Sequence, residues 1–413
     1  MIGLMEISVP HQTDHVPVAR IEPLTMSGDC DKVVKKFVMY VPAGKLSDIH
    51  RRAAWYMLPL TFWRLGLSST LICGSAKGLE GEGLDIRETG FLVNNPWEPT
   101  DGLVASLVDS FYAFREIIKL HADFVIVGPT RSSLVTFLPL VVAYRLSKRL
   151  TGNSRARFIL KADTDLDLGR FGGLTSRVAK VVIALSTWVL DGVTAESSCA
   201  VAAIKSLPLS KRMNVHYVPI GVGHMTENCP RDIPRKPVIL CVGRISRTKD
   251  QATLIRAFSI ISERFQDWSL RIVGPTEDED YFKELVNLVK SVSLSGRIVF
   301  CGHKTMPELE SEYLSASIFC LPTRRESAGN VRYEASLYRV PVVTTEVPCR
   351  KDIISHGWVV VKIGDPIDVA SKLEMLIKDP GERNRMAGEA LSRLKTYEDV
   401  AEMYLDLLSG VAP

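Results

Sequence analysis

Short apolar runs alternate with longer stretches in which apolar residues recur every three or four positions, and the alternation persists over most of the chain. Runs of the first kind lie at residues 37–41, 69–73, 124–129, 158–160, 192–195 and 215–219, and again at 238–242, 270–273, 298–301, 318–320, 342–343 and 358–361. Their length and β-branched content predict buried strands. Helices are predicted between them. One runs from Ser47 or Asp48 as N-cap to Leu65 with Gly66 as its stop, and others cover 103–120, 135–149, 281–292, 307–316 and 367–378. Leu254, Phe258, Ile261 and Phe265 step by 4, 3 and 4, and Phe282, Leu285, Val286 and Val289 form a second apolar face. Residues 1–35 are Pro-rich and aperiodic, 76–100 are Gly-rich and then Pro-rich and predict loop, and 382–408 predict a helical tail.

Strands that alternate with helices predict parallel sheets covered on both faces. At 413 residues the chain exceeds one ordinary core, so two domains are expected. The Pro- and Gly-containing stretch 219–237 is the expected linker. The division reads as 1–222 for the first domain and 223–394 for the second, with 395–413 crossing back onto the first. In doubly wound sheets ligands sit beyond the carboxyl ends of the strands. Gly243-Arg244, Gly274-Pro275, Gly302-His303 and the loop at Glu326 all follow strand ends, and they are expected to meet at one mouth.

Charge changes this picture only in the first half. Residues 1–236 hold 28 Lys+Arg against 22 Asp+Glu, and 237–413 hold 23 against 25. The excess suits an anionic partner or an anionic membrane surface, and is too small to argue for nucleic acid. The eight cysteines are scattered without a C-x-x-C pair, which gives no zinc or redox signature and leads to the expectation of reduced thiols and a cytoplasmic protein. The start, Met1 to Glu6, lacks the basic and long apolar segments of a signal peptide, and no stretch has the roughly 18 apolar residues of a membrane span.

The candidate chemistry lies in two stretches of the second half. Glu326 and Glu334 stand eight positions apart around Gly329, where a strand turns into a helix. Gly329 permits close approach of the backbone, and the amides of about Asn330, Val331 and Arg332 would be unpaired donors at a helix start, which suits a phosphorylated ligand. Earlier, a strand, Gly243, Arg244, Lys249 and a helix follow in order, with one forked and one point-like cation suited to a diphosphate.

Val242-Gly243-Arg244-Ile245 with Lys249, Leu254 to Phe258, Leu270 to Gly274, Glu326 through Glu334-Ala335, Pro341 to Val343 and Gly364-Asp365 together resemble the donor-binding domain of retaining glycosyltransferases of family 4 over roughly 237–380. The resemblance implies a GT-B fold of two Rossmann-like domains. It implies transfer of a hexose from a nucleotide diphosphate sugar to a saccharide or lipid-linked acceptor, with retention at the anomeric carbon and no cofactor or dedicated metal. Arg244, Lys249 and the amides after Gly329 would hold the diphosphate, Glu334 the ribose, and Glu326 the sugar near its reacting carbon. Gly44 marks the loop after the first strand, where relatives commonly have a Gly pair. The sequence departs from the family at Ala328, at Pro348-Cys349, and at Asp250, where glycine is usual. A sugar-nucleotide-binding protein without catalysis and a nucleotide-sugar epimerase are the alternatives on the same fold, and the Glu spacing argues against the epimerase.

Asp163, Asp165 and Asp167 do not form a calcium loop, because Leu168 and Leu174 stand where Gly and Glu are required. Asp163, just past a strand, is either a catalytic-mouth residue facing sugar or acceptor or a helix-capping surface residue. His303 follows Gly302 at a strand end, near where base or phosphates would lie. Arg51, Arg52, Trp55, Trp63 and Arg64 mark a basic aromatic helix that reads either as a membrane surface or, at Trp55, Leu58 and Phe62, as a core face. Arg145, Lys148, Arg149, Arg155, Arg157 and Lys161 form a run without an acid that reads as a solvated face or, as the alternative, as a contact for an anionic lipid or polymer.

Overall fold

The structure is a computed structural model that describes residues 36–46, 54–76, 83–90, 103–128, 131–151, 156–162, 174–223, 234–325, 329–345 and 357–409. In the first half the order is β1 (Lys36–Leu46), α1 (Ala54–Arg64), β2 (Ser68–Ala76), β3 (Asp85–Glu88), α2 (Leu103–Leu120), β4 (Phe124–Val127), α3 (Arg131–Thr151), β5 (Arg157–Ala162), α4 (Leu174–Val189), β6 (Gly192–Ala195), α5 (Ser198–Ser206) and β7 (Val215–Tyr217). These strands form one parallel sheet in the order β3-β2-β1-β4-β5-β6-β7. α2 to α5 cover one face through Phe114, Phe137, Ile183 and Ile204. α1 covers the other through Tyr56, Leu58 and Phe62, which pack on Phe37, Met39 and Phe124.

The second half runs β8 (Gly221–Val222), β9 (Val238–Val242), α6 (Gln251–Ile261), β10 (Ser269–Val273), α7 (Glu279–Ser291), β11 (Ile298–Gly302), α8 (Met306–Ser315), β12 (Ile318–Leu321), α9 (Asn330–Leu337), β13 (Val342–Thr345), β14 (Val359–Val361), α10 (Pro366–Lys378), α11 (Pro380–Ser392), β15 (Lys395–Thr396) and α12 (Tyr397–Ser409). Its parallel sheet has the order β11-β10-β9-β12-β13-β14. The order reverses between β9 and β12, and the carboxyl ends of those two strands therefore define the ligand crevice of this sheet. Leu254, Phe258 and Ile261 on α6, and Tyr281, Leu285 and Val289 on α7, are buried at the predicted helical spacing.

Besides α4 and α5, which no predicted element covers, four features differ from expectation. β3 lies within the stretch read as loop: its polar Asp85-Ile86-Arg87-Glu88 forms an edge strand that, among the described residues, pairs only with β2. β1 does not end at Val41. It continues past a shift of register, Val41 opposite Cys73 but Lys45 opposite Ser75, and Gly44 lies on this bulged segment instead of in a loop. A bulge accommodates Pro42, which cannot donate to the ladder. The helical tail is two helices, divided where β15 pairs with β8 inside the stretch read as linker. α12 then packs on the α1 side of the first sheet, with Tyr397, Val400 and Tyr404 buried there and the Tyr404 hydroxyl 3.0 Å from that of Thr194. The Tyr397 ring lies so close to Gly221 that a Cβ there would stand 2.5 Å from a ring carbon. Finally, Cys199 is disulfide-bonded, against the expectation of reduced thiols, whereas Cys73, Cys241, Cys301 and Cys320 are free.

Candidate active site

Three strand ends are laced side by side at the carboxyl edge of the second sheet. The Gly243 amide donates to the Val273 carbonyl at 2.9 Å, and the Gly274 amide to the Gly302 carbonyl at 2.9 Å. A Cβ at Gly274 would come within 2.1 Å of the Gly243 oxygen, so only glycine allows this approach. Beyond Gly243 the Ile245 amide bonds to the Pro275 carbonyl at 2.9 Å, which brings Arg244 out over the edge. Arg244 is exposed and paired with Glu277, and its carbonyl accepts from Gln251 Nε2 at 2.9 Å. Lys249 lays its aliphatic stem over the Gly243 turn, its carbons 3.7–3.8 Å from where a Cβ would stand. The two cations thus flank the end of β9.

The next residue, Asp250, is buried and left-handed (φ 51, ψ 44) at the head of α6. That backbone suits the glycine expected there from the family resemblance, and aspartate is one of the few side chains that tolerate it. Its carboxylate accepts from Thr253 Oγ1 at 2.9 Å and pairs with Arg324 Nε at 2.9 Å. Arg324 lies on the loop after β12. Its amide donates to the Thr248 carbonyl at 2.8 Å, and the buried Thr323 hydroxyl is 2.9 Å from the same oxygen. The loop leaving β12 is therefore fastened to the loop leaving β9, across the point where the sheet reverses.

Gly329, left-handed at φ 66, starts α9 without a side-chain cap. The amides of Asn330 and Val331 then carry the positive end of the helix. Glu334 sits one turn inside, half-buried, and accepts from the buried Tyr313 hydroxyl at 2.9 Å. Tyr313 is itself stacked on Tyr338 at 5.4 Å. The Tyr397 phenol is pushed above its usual range by burial, with Glu196 and Glu334 adding to the shift and Lys161 opposing it. Glu334 is therefore close enough to feel the buried junction where β8, β15 and the first sheet meet.

The structure thus places Arg244, Lys249, Gly329, Asn330, Val331 and Glu334 around the ends of β9 and β12. His303 is exposed at the end of β11, the outer strand, two strands from the crevice. Glu326 and Asp163 lie outside the described residues, directly after Arg325 and Ala162. Lys161 is no part of a solvated face: its buried side chain points at Glu196 in a buried ion pair, because it alternates with Phe158 and Leu160 on an interior strand. Arg332 is also buried, with its guanidinium 5.2 Å from the Trp358 ring centre, so it packs the core instead of lining the crevice. Tyr313 and the Asp250–Arg324 pair were not singled out in the sequence, although Asp250 in a glycine position was a signal for the second. Among the described residues no cluster of three or more His, Cys, Asp or Glu could hold a metal ion.

Residues 230–393 match the family model for glycosyl transferases group 1. That segment, 164 of the 413 residues, is similar to the glycosyl transferases group 1 family. The capsular polysaccharide biosynthesis glycosyltransferase CapM of Staphylococcus aureus is 31% identical over 176 residues, 40% of this chain and 45% of that protein. A D-inositol 3-phosphate glycosyltransferase of Corynebacterium diphtheriae is 29% identical over 192 residues, 45% of each chain. The chain thus spans about half the length of the curated relatives it matches. Across the whole fold it is similar to Anabaena HepE, solved in complex with UDP, at TM-score 0.67 and 16% identity over 91% of this chain and 100% of that one. Sucrose-phosphate synthase of Thermosynechococcus elongatus gives TM-score 0.67 and 14% identity over the same shares. These likenesses, with two parallel Rossmann-like sheets, establish the GT-B fold outside the group 1 domain as well.

Proposed function

We propose that the chain is a retaining hexosyltransferase of glycosyltransferase family 4. It moves a hexose from a nucleotide diphosphate sugar to a saccharide or lipid-linked acceptor without a metal. The observation that carries this reading is the grouping of two cations, an uncapped helix start and a half-buried carboxylate around one reversal of strand order in a group 1 domain. As the bond from the anomeric carbon to the diphosphate breaks, its electron pair stays on the leaving oxygen. Arg244, Lys249 and the Asn330 and Val331 amides stabilise that charge from fixed positions. Glu334, held by Tyr313, takes the ribose hydroxyls. Glu326 meets the sugar as it becomes oxocarbenium-like. The acceptor hydroxyl attacks from the leaving-group face and gives its proton to the departing diphosphate, which retains configuration. Asp163 acts on the sugar or the acceptor from the first domain, and Gly44 belongs to the far end of β1 in the same sheet. His303 sits toward the base. Kinetics test the assignment: Glu334→Ala raises the donor KM by about tenfold or more, as expected for a lost charged hydrogen bond, while Glu326→Ala lowers kcat. Full activity in either variant contradicts it.

The protein acts in the cytoplasm, in contact with an anionic membrane. No described helix is long and apolar enough to cross a membrane. The contact is assigned to α2–α4 and not to α1, whose Tyr56, Leu58 and Phe62 are buried. Phe111, Ile118, Leu146, Leu185, Trp188 and Met213 are exposed on the outward side of these helices and the loop after α5. Residues 131–157 carry six Lys/Arg and no acid. A second copy of this basic face would be repelled, whereas anionic lipid is attracted. Co-sedimentation with phosphatidylglycerol vesicles, absent with phosphatidylcholine and weakened by Trp188→Ser with Met213→Ser, is the expected result. Indifference to both vesicles counts against it.

A further inference from the structure

A cavity of about 430 Å³ lies where α1 ends and β2 and β3 begin. It is at the amino edge of the first sheet, whereas the proposed transfer site belongs to carboxyl edges. The nine residues of β2 separate the two edges by roughly 26 Å at about 3.3 Å per residue. Its volume falls within the roughly 300–1,000 Å³ of small-molecule sites. Its walls include Trp63, Gly66, Ser68, Ser69, Gly83 and Asp85.

Three of these groups point to a ligand. Ser69 is 4% exposed, and its buried hydroxyl has no hydrogen-bond partner. Native folds rarely leave such a group unsatisfied. Trp63 is 41% exposed, and its six-membered ring rests on Gly83 so closely that a Cβ there would stand 2.6 Å from Cζ2. Gly83 therefore sets the position of an open indole face. Asp85 accepts from Thr70 Oγ1 at 3.0 Å and Arg87 Nε at 3.1 Å, both on Oδ2, so Oδ1 keeps its acceptor capacity.

The chemistry of the walls narrows the ligand. An indole face suits a flat array of C–H bonds. Serine hydroxyls both donate and accept, and the carboxylate accepts. The carboxylate disfavours phosphates and other anions. Arg87, which also pairs with Glu116 at 2.8 Å, offsets part of its charge and weakens the attraction for a bare cation. A polyhydroxylated neutral ring meets all of these conditions. We propose that this cavity binds a neutral pyranose unit of a saccharide, as a second carbohydrate site separate from the site of transfer. Binding at this site does not depend on the transferase reading; on that reading it would hold a saccharide chain at a distance from the reacting end.

The test uses the full chain labelled with 15N at its six tryptophans. The methyl glycosides of glucose, mannose and N-acetylglucosamine are titrated while the indole N–H resonances are followed. The expected result is that one resonance, identified by its loss in Trp63→Phe, shifts saturably with a dissociation constant of about 1–10 mM. UDP leaves it in place, and Glu334→Ala does not change the titration. Ser69→Ala removes the unsatisfied hydroxyl without orphaning a partner, so it folds as the parent does and weakens binding by about threefold or more. Asp85→Asn weakens it in the same direction. The proposal is overturned if no glycoside moves the Trp63 resonance up to about 50 mM, well above the expected range, or if Ser69→Ala and Asp85→Asn both titrate like the parent. The readout needs no turnover, so an inactive chain that shifts Trp63 would sink the transferase reading alone.

Discussion

Replacing Asp250 separates two contributions that meet at one residue: a left-handed backbone and a carboxylate with two partners. Asp250→Gly removes the carboxylate but suits the φ of 51°. Asp250→Ala removes the carboxylate and adds the Cβ clash of a left-handed residue, roughly 1–2 kcal/mol. The carboxylate contributes through Thr253, whose buried hydroxyl loses its acceptor at about 1 kcal/mol. It also contributes through Arg324, whose side chain is 55% exposed and can turn to water, so that pair is taken at the surface value of up to about 1 kcal/mol. Asp250→Gly should therefore lose about 1–2 kcal/mol and Asp250→Ala about 2–4 kcal/mol. At about 2–4 °C per kcal/mol for a domain of this size, Ala should melt roughly 2–8 °C below Gly. Asp250→Asn tolerates the backbone and still offers Thr253 an acceptor, so it should lie nearest the parent. Urea denaturation at a common slope, with thermal melts alongside, measures the series. If Gly is as destabilised as Ala, the backbone argument fails. If neither differs from the parent, the link between the loops after β9 and β12 has no energetic weight.

Three further outcomes follow from packing and burial. Gly274→Ala should destabilise the second domain by about 3 kcal/mol or more, because the clash is with backbone that cannot move aside; a near-parent urea midpoint would contradict this. Lys161→Met should cost about 3–5 kcal/mol by stranding Glu196, and adding Glu196→Leu should recover most of it; equal losses in both proteins would show that the pair is not coupled. Burial first of all raises the Cys73 and Cys241 thiols from 9.0 to about 12 and the Tyr281 phenol from 10.0 to about 12. The folded chain keeps these protons where the unfolded chain releases them. Their contribution is complete below about pH 9 and is lost as pH rises toward 12, so Tm should fall steadily from pH 9 to 11. A flat profile over that range would refute the burial of these groups.

The parts of the fold that were legible in the sequence have one dominant period. α6 and α7 bury every third or fourth residue, and β9 and β12 are continuous apolar runs, so periodicity alone located them. α4 was missed because its inside and outside are partly exchanged: Val181, Leu185 and Trp188 are exposed, while the polar Ser186 and Thr187 are buried beside Ile183 and Ala184. β3 was missed because an edge strand needs no apolar alternation. At the site, residue order located the cations, the glycine turn and Glu334, since each follows a strand end. Partners brought in from distant sequence were not legible. Tyr313 reaches Glu334 from another helix, Arg324 reaches Asp250 from 74 positions away, and Lys161 is charged by spelling but interior by register.

The claim that this chain transfers a hexose from a nucleotide sugar is tested most directly by incubating it with UDP-, GDP-, ADP- and dTDP-sugars in EDTA. Melting temperature is followed first, and then the anomer of any sugar released is read by NMR. The account predicts that one donor raises Tm, as ligand bound to the folded state must, and that this donor is slowly hydrolysed without metal to give first the anomer it carried. Stabilisation without turnover, even with saccharide and lipid acceptors added, would make the chain a binding protein; inverted product would remove retention; and no shift with any donor would contradict the site itself.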